Sequence, residues 1–322
     1  MAACPVCCGE RTRPHWADLP DRLFRATTAR FAVHRCVDCR TLFIWPVPTM
    51  AEQATFYPEA YWIGPSDRER DTDARTQGGL LERYRRFVLR DHVRFVRAVL
   101  DDQRRAGKPI AMVDIGCGDG SFLEALGERG AIGMDLSKAA LRAVERRGFQ
   151  AIHGTLDDCP LTPGTFSLVT SFHFLEHVRP IEPVLDLMRR LLAPGGELVV
   201  QVPNAASLQA KLLGRKWGGY DVPRHLVNYT AATLRATLSR CGFDVVAENH
   251  HCLRDNPTTL ANSLVPALYP PSRLSRQGGR DGSAGAFANL AYLAVTLASL
   301  PLCVFESLLG RGASVMVRAR PR

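Results

Sequence analysis

The chain has 322 residues, of which 46% are hydrophobic and 23% charged, and a formal net charge of +9; this is a globular composition with room for one large domain and a small one. Only four of the 41 basic residues are lysines and the arginines are scattered along the chain, which argues against a nucleic-acid binder, where basic residues gather on one face or in a tail. No secretory leader is visible, so a cytoplasmic location is expected, and the ten cysteines point to metal binding or buried thiols instead of a disulfide framework.

Residues 1–63 read as irregular, rich in proline and aromatics, and carry two knuckles, CPVC (Cys4, Cys7) and CVDC (Cys36, Cys39). Paired C-x2-C knuckles suit tetrahedral thiolate coordination of Zn2+, and four thiolates leave no open position, so the expected site is structural. The stretch between the knuckles exceeds usual ribbon spacing, and Cys8 is an alternative to Cys7. Residues 64–79 have almost no apolar content and read as a solvated linker. The second domain then runs over 80–322, opening with Leu81, Tyr84, Val88, Phe95 and Val99 at helical spacing.

From Ile110 the pattern becomes short apolar runs alternating with helical stretches. IAMVDIG, AIGMDL, QAIHGT, FSLVTSF, ELVVQVP and FDVVAEN read as six strands. Ser137 and Thr230 are expected helix caps, and Gly148 and Gly242 expected stops. Such alternation predicts an α/β fold with a parallel sheet covered on both faces. Before a last candidate strand, SVMVRAR, lies an apolar insertion over 255–310, uncharged from Gly282 to Phe305. That run is long enough to span a bilayer, but the chain must return to the sheet. Helices that pack on the domain or contact a membrane surface through 260–305 are expected instead.

The chemistry is expected at MVDIGCGDGSF, where Gly116, Gly118 and Gly120 alternate with other residues after a strand. A phosphate loop needs Gly-Lys-Ser/Thr, which is missing, and a dinucleotide fingerprint needs a small residue three positions after its second glycine. VDIGCGDG resembles instead the first motif of class I S-adenosylmethionine-dependent methyltransferases. On that resemblance Asp114 meets the cationic amino group of the cofactor, the glycines admit its methionine part, and Asp135, at the end of the second strand, accepts from the ribose hydroxyls. Cys117, Leu136 and Phe172 complete the implied cofactor set.

FHFLEHV and LLAPGGELVVQVPN resemble the matching segments of ubiquinone-biosynthesis-type O-methyltransferases. The resemblance covers residues 110–250 and implies a Rossmann-like seven-stranded sheet whose last strand, SVMVRAR, is antiparallel. Residues 1–63 are similar to a subgroup with an N-terminal zinc ribbon, apart from Arg40, which stands where glycine is usual, and the extra Cys8. The implied activity is methylation of a hydroxyl on a small molecule, a sugar or a lipid-linked glycan. Methylation at carbon or nitrogen, or a non-catalytic adenosylmethionine-binding scaffold, is the alternative.

A hydroxyl acceptor needs a base. His173, Glu176 and His177 follow the fourth strand, and Trp217, Asp221, Arg224 and His225 lie in a Gly-rich loop after the fifth. His225 is expected to be the base, with Glu176 and His177 orienting it or binding an ion. In the version that resembles small-RNA 2′-O-methyltransferases, an E-x-x-E-H cluster and a distant histidine hold a divalent cation. Here His173 replaces the first Glu, which weakens a magnesium site, since hard cations prefer oxygen.

Overall fold

The computed structural model describes residues 3–57, 78–154, 158–276 and 283–322. Most of the expected linker, 64–77, therefore lies outside the described residues. The N-terminal segment is not irregular: it forms β1 (Thr12–Leu19), β2 (Phe31–Cys36) and β3 (Leu42–Trp45), followed by α1 (Met50–Thr55). β2 buries Phe31 and Val33 two residues apart, whereas β3 buries Leu42, Phe43 and Ile44 in succession and β1 is largely exposed, so no sustained period-2 signal marks these strands in the sequence.

The second part begins with α2 (Gly78–Val88) and α3 (Arg90–Arg105) and continues through β4 (Met112–Ile115), α4 (Ser121–Leu126), β5 (Ile132–Asp135), α5 (Lys138–Arg146), β6 (Gln150–His153) and β7 (Phe166–Phe172). Then come α6 (Glu182–Leu191), β8 (Leu192–Pro203), α7 (Leu208–Leu213), β9 (Val227–Asn228), α8 (Ala231–Arg240) and β10 (Phe243–Asn249). The apolar insertion supplies α9 (Asp255–Leu264), α10 (Pro270–Arg276), α11 (Ser283–Ala298) and α12 (Leu300–Leu308), before β11 (Ser314–Pro321). Ser137 and Thr230 cap α5 and α8 by accepting the N–H groups of Ala140 and Thr233.

Seven strands form one sheet in the order β10-β11-β8-β7-β4-β5-β6. β11 runs antiparallel to both of its neighbours, and the other pairings are parallel. Chain order reverses between β4 and β7, so a crevice opens beyond their carboxyl ends, where open α/β sheets bind ligands.

The N-terminal strands are not a detached module. β9, contributed by the Gly-rich loop, pairs with β3 and completes a sheet in the order β1-β2-β3-β9. Cys4, Phe43 and Ile44 share one continuous apolar core with Val113, Val169 and Val200 of the large sheet.

Candidate active site and a four-cysteine cluster

The turn after β4 separates three glycines that look equivalent in sequence. All have left-handed φ, at 75°, 54° and 75° for Gly116, Gly118 and Gly120, a region L side chains disfavour. A Cβ on Gly116 would stand 2.8 Å from Phe174, and one on Gly120 would stand 3.0 Å from Val144 of α5. At Gly118 nothing lies within 4 Å. Two glycines thus serve packing, and the third keeps backbone open to a ligand. Cys117 turns its sulfur inward over Gly133 and spends its N–H on the Met134 carbonyl.

Asp114 is buried, and Thr170 Oγ1 donates to its carboxylate at 2.7 Å. Burial pushes its pKa up to about 7, against the help of that hydrogen bond. Asp135 is also buried, and its two oxygens accept the N–H groups of Gly118 at 2.9 Å and Ser137 at 2.8 Å. Each oxygen keeps a second lone pair for a hydroxyl donor. Leu136 beside it is 54% exposed, and Phe172 stands edge-on to Phe122 and His92. Two buried acids around an open glycine fit a ligand that brings a cation and a diol.

Beyond β7 the structure brings Glu176, His177 and His225 together, with one donor atom of each within 4.8 Å of the others. The two imidazole centroids are 4.7 Å apart. His225 Nδ1 lies 2.8 Å from the Gly219 carbonyl oxygen, so it carries the proton, leaving Nε2 with a lone pair. His177 Nδ1 is engaged by the Tyr57 hydroxyl at 2.9 Å and the Arg224 carbonyl at 3.1 Å. Burial, with His225 adjacent, lowers its pKa to about 4 and keeps it neutral.

His173 has a different task from its neighbours. It adopts a φ of 54° and sits 3.2 Å from Glu176 and 3.1 Å from Asp255. Burial disfavours its charge, but the two carboxylates prevail and raise its pKa to about 10. A protonated imidazole offers no lone pair to a metal, so His173 belongs to the cluster as a counter-ion to Glu176. Burial alone would protonate Glu176; His173 holds it below the usual carboxylate range.

Asp255, in the first turn of α9, has no sequence signal of its own. One of its oxygens accepts from Gln201 Nε2 at 2.8 Å and the Cys252 thiol at 2.9 Å, and faces His173 at 3.1 Å and His92 at 3.5 Å. Cys252 is therefore part of a buried polar knot.

The N-terminal sheet also reaches the site. Arg224, fully buried beside His225, is held by Asp21 at 2.7 and 3.0 Å and by Asp221 at 2.6 and 3.0 Å. Gln53 donates to the His177 carbonyl at 3.0 Å. Neither Asp21 nor Gln53 carries a motif of its own, because each gains its role from a partner far along the chain.

Ahead of β1 and at the turn from β2 to β3, Cys4 and Cys39, and Cys7 and Cys36, pair with sulfurs 3.5 Å apart, all four within 4.8 Å. A tetrahedral ion with bonds of about 2.3 Å requires sulfur separations of roughly 3.8 Å, so the cluster fits a zinc ribbon. Cys8 is exposed and outside it. Arg40 takes a left-handed φ of 65°, the conformation for which glycine is usual at that position.

Sheet order, glycine turn and paired acids define an adenosylmethionine-binding α/β domain. A family model for the methyltransferase domain matches residues 81–248, just over half of the chain. The protein belongs to that family, the class I S-adenosylmethionine-dependent methyltransferases. It is 33% identical over 144 residues to a ubiquinone biosynthesis O-methyltransferase from Methylococcus capsulatus, covering 41% of this chain and 60% of that one. With the Psychrobacter arcticus protein of the same name, identity is 36% over 129 residues, covering 37% and 48%. The chain spans about half to three-fifths of the length of the curated relatives it matches. A solved S-adenosylmethionine-dependent methyltransferase from Thermotoga maritima is 17% identical with a TM-score of 0.48, covering 82% of this chain and 98% of that one.

Proposed function

We propose that the protein transfers a methyl group to a hydroxyl oxygen of a small molecule, a sugar or a lipid-linked glycan. The observation that carries this reading is the trio Glu176, His177 and His225 gathered beyond β7, beside the cofactor turn. When bound, the cofactor supplies an activated methyl on a cationic sulfur. In this reading Asp114 takes the cationic amino group, Asp135 takes the ribose hydroxyls, and Gly118 leaves room for both to be reached. Cys117, Gly116 and Gly120 shape the turn; Leu136 and Phe172 border it.

His225 is the base. Its Nδ1–H is committed to Gly219, so Nε2 is held as the acceptor, and a hydroxyl proton passes from oxygen to Nε2 as the new carbon–oxygen bond forms. Arg224, locked by Asp21 and Asp221, fixes the backbone on which His225 sits. Glu176 then lies 3.9 Å from Nε2 and stabilises the imidazolium formed.

A second reading is supported by the spacing of the same three donors. Two imidazoles and a carboxylate within 4.8 Å are a ligand set for a divalent transition metal, which would lower the hydroxyl pKa in place of a base. The Cys4, Cys7, Cys36 and Cys39 cluster, by contrast, would hold structural Zn2+ away from the reacting atoms.

The test uses labelled cofactor with fractionated cell extract as acceptor source. His225→Ala is expected to lower transfer by about 10²-fold or more while adenosylhomocysteine binding is unchanged. Activity abolished by a chelator and restored by a divalent cation supports the second reading. Transfer that survives removal of both His225 and His177 refutes both, and points to a carbon or nitrogen acceptor. Binding of adenosylhomocysteine with no transfer to any fraction points to a scaffold.

A further inference from the structure

The apolar insertion presents a continuous ridge to the outside. α11 and α12 follow one another with Ser299 between them, whose N–H donates to the Val295 carbonyl, so the helical path is nearly unbroken. One side of this path faces the domain through Tyr292, Cys303 and Glu306. The other side exposes Phe287 (76%), Leu290 (64%), Leu297 (54%), Phe305 (54%) and Leu308 (81%), with Leu293 in line. These positions are spaced by three, four or, from Leu297 to Phe305, eight residues, so they share one face. The span Gly285–Leu308 is long and apolar enough to cross a membrane. A helix that is apolar on all sides needs cover on all sides, and the domain covers only one.

Crossing is ruled out by how the ends are tied. At the start, Arg273 donates to the Gly285 carbonyl at 3.0 Å and to Asn289 Oδ1 at 2.7 Å. In the middle, the Tyr292 hydroxyl donates to Asn262 Oδ1 at 2.8 Å. At the end, Gln209 Nε2 donates to Glu306 at 2.7 Å, and the chain enters β11 at Ser314. The helices therefore lie along the body of the protein.

The borders of the ridge carry one sign of charge. α7, joined to α12 through Gln209, and the turn that follows it expose Lys211, Leu212, Arg215 and Lys216. Arg311 is exposed just past α12, and its carbonyl accepts the Leu208 N–H at the start of α7. Within 203–220 and 283–313 the only acid is Glu306, which is fully buried. Two of the four lysines of the chain stand at this one edge.

We propose that α11 and α12 dock the protein on the surface of an anionic lipid bilayer, with the apolar ridge sunk to the level of the acyl chains and Lys211, Arg215, Lys216 and Arg311 at the headgroups. An apolar stripe alone would suit a second copy of the chain, but a basic border without exposed acids repels its own copy and attracts an anionic surface.

The experiment is flotation of the full chain with vesicles of phosphatidylcholine alone or of phosphatidylcholine mixed with phosphatidylglycerol. The protein is expected to float with the mixed vesicles at low salt and much less with the neutral ones. Lys211→Gln, Lys216→Gln and Arg311→Gln together should weaken partitioning by about a hundredfold. Leu290→Ser, Leu297→Ser and Phe305→Ser together should abolish flotation while adenosylhomocysteine binding and the thermal transition persist, showing that the fold is intact. Failure of the wild type to float with either vesicle overturns the proposal. So does equal flotation with both, or a dimer in light scattering that the serine substitutions dissociate without any vesicle binding.

Discussion

Asp114→Asn probes the cofactor turn at a residue whose charge the fold tolerates poorly. The Asp114 carboxyl is buried, accepts one hydrogen bond from Thr170 and lies within reach of the negative field of Asp135. Its folded pKa of about 7 stands above the ordinary aspartate value of 3.8. Below pH 3.8 the group is protonated in both states and costs nothing. Between pH 3.8 and 7 the unfolded chain ionises first and the folded chain binds more protons, so stability falls as pH rises. Above pH 7 the whole penalty remains, on the order of 4 kcal/mol. Asparagine keeps the acceptor for Thr170 and removes the charge. Without cofactor, the variant should match the wild type near pH 4 and exceed it at pH 8 by an amount of that order, read from urea unfolding at the two pH values. Adenosylhomocysteine, whose amino group is cationic, should stabilise the wild type at pH 8 and the variant much less, because only the wild type offers an anion to it. A variant no more stable than the wild type at pH 8, or one that binds the ligand equally well, would refute the reasoning.

Cys36→Ser should remove the metal from a protein that otherwise carries one zinc per chain by elemental analysis, and limited proteolysis should then cut within the N-terminal strands, since the metal closes that loop; zinc-free wild type from zinc-rich medium would sink the assignment. Asp21→Asn leaves fully buried Arg224 with one carboxylate, Asp221, and the Phe56 carbonyl and should lower unfolding free energy by about 3 kcal/mol, measurable by denaturant melts, with transfer activity falling alongside.

Much of the large sheet is legible in the sequence because its signals are local. Ser137 and Thr230 meet the helices they cap within three residues, and Asp114 and Gly116 are separated by one residue. The glycines show where legibility ends. Their spacing announces a tight turn, but only the packed fold shows that Gly116 faces Phe174, Gly120 faces Val144, and Gly118 faces open space. The charge of His173 is likewise invisible, because it depends on Asp255 in a helix that follows the sixth strand of the large sheet. The apolar insertion gives its composition away and conceals its orientation: which side Tyr292 and Glu306 hold against the domain is fixed by Asn262 and Gln209, far away in sequence. The strands at 12–45 are hidden for another reason: β1 is largely exposed and β3 buries three successive residues, so neither carries the alternation that marks a strand.

The ion pair between Asp21 and Arg224 joins residues 203 positions apart, and that has a consequence for how the chain is made. At ribosomal speed, roughly 10 to 40 s pass between the emergence of the two residues. During that interval β3 has no β9 beside it, so a bare strand edge waits in the cell. The four thiolates are complete as soon as Cys39 emerges. A metal captured then would hold the nascent ribbon in shape until its last strand arrives, so the effect of zinc supply would fall first on the yield of folded protein and only afterwards on the rate of the enzyme already made.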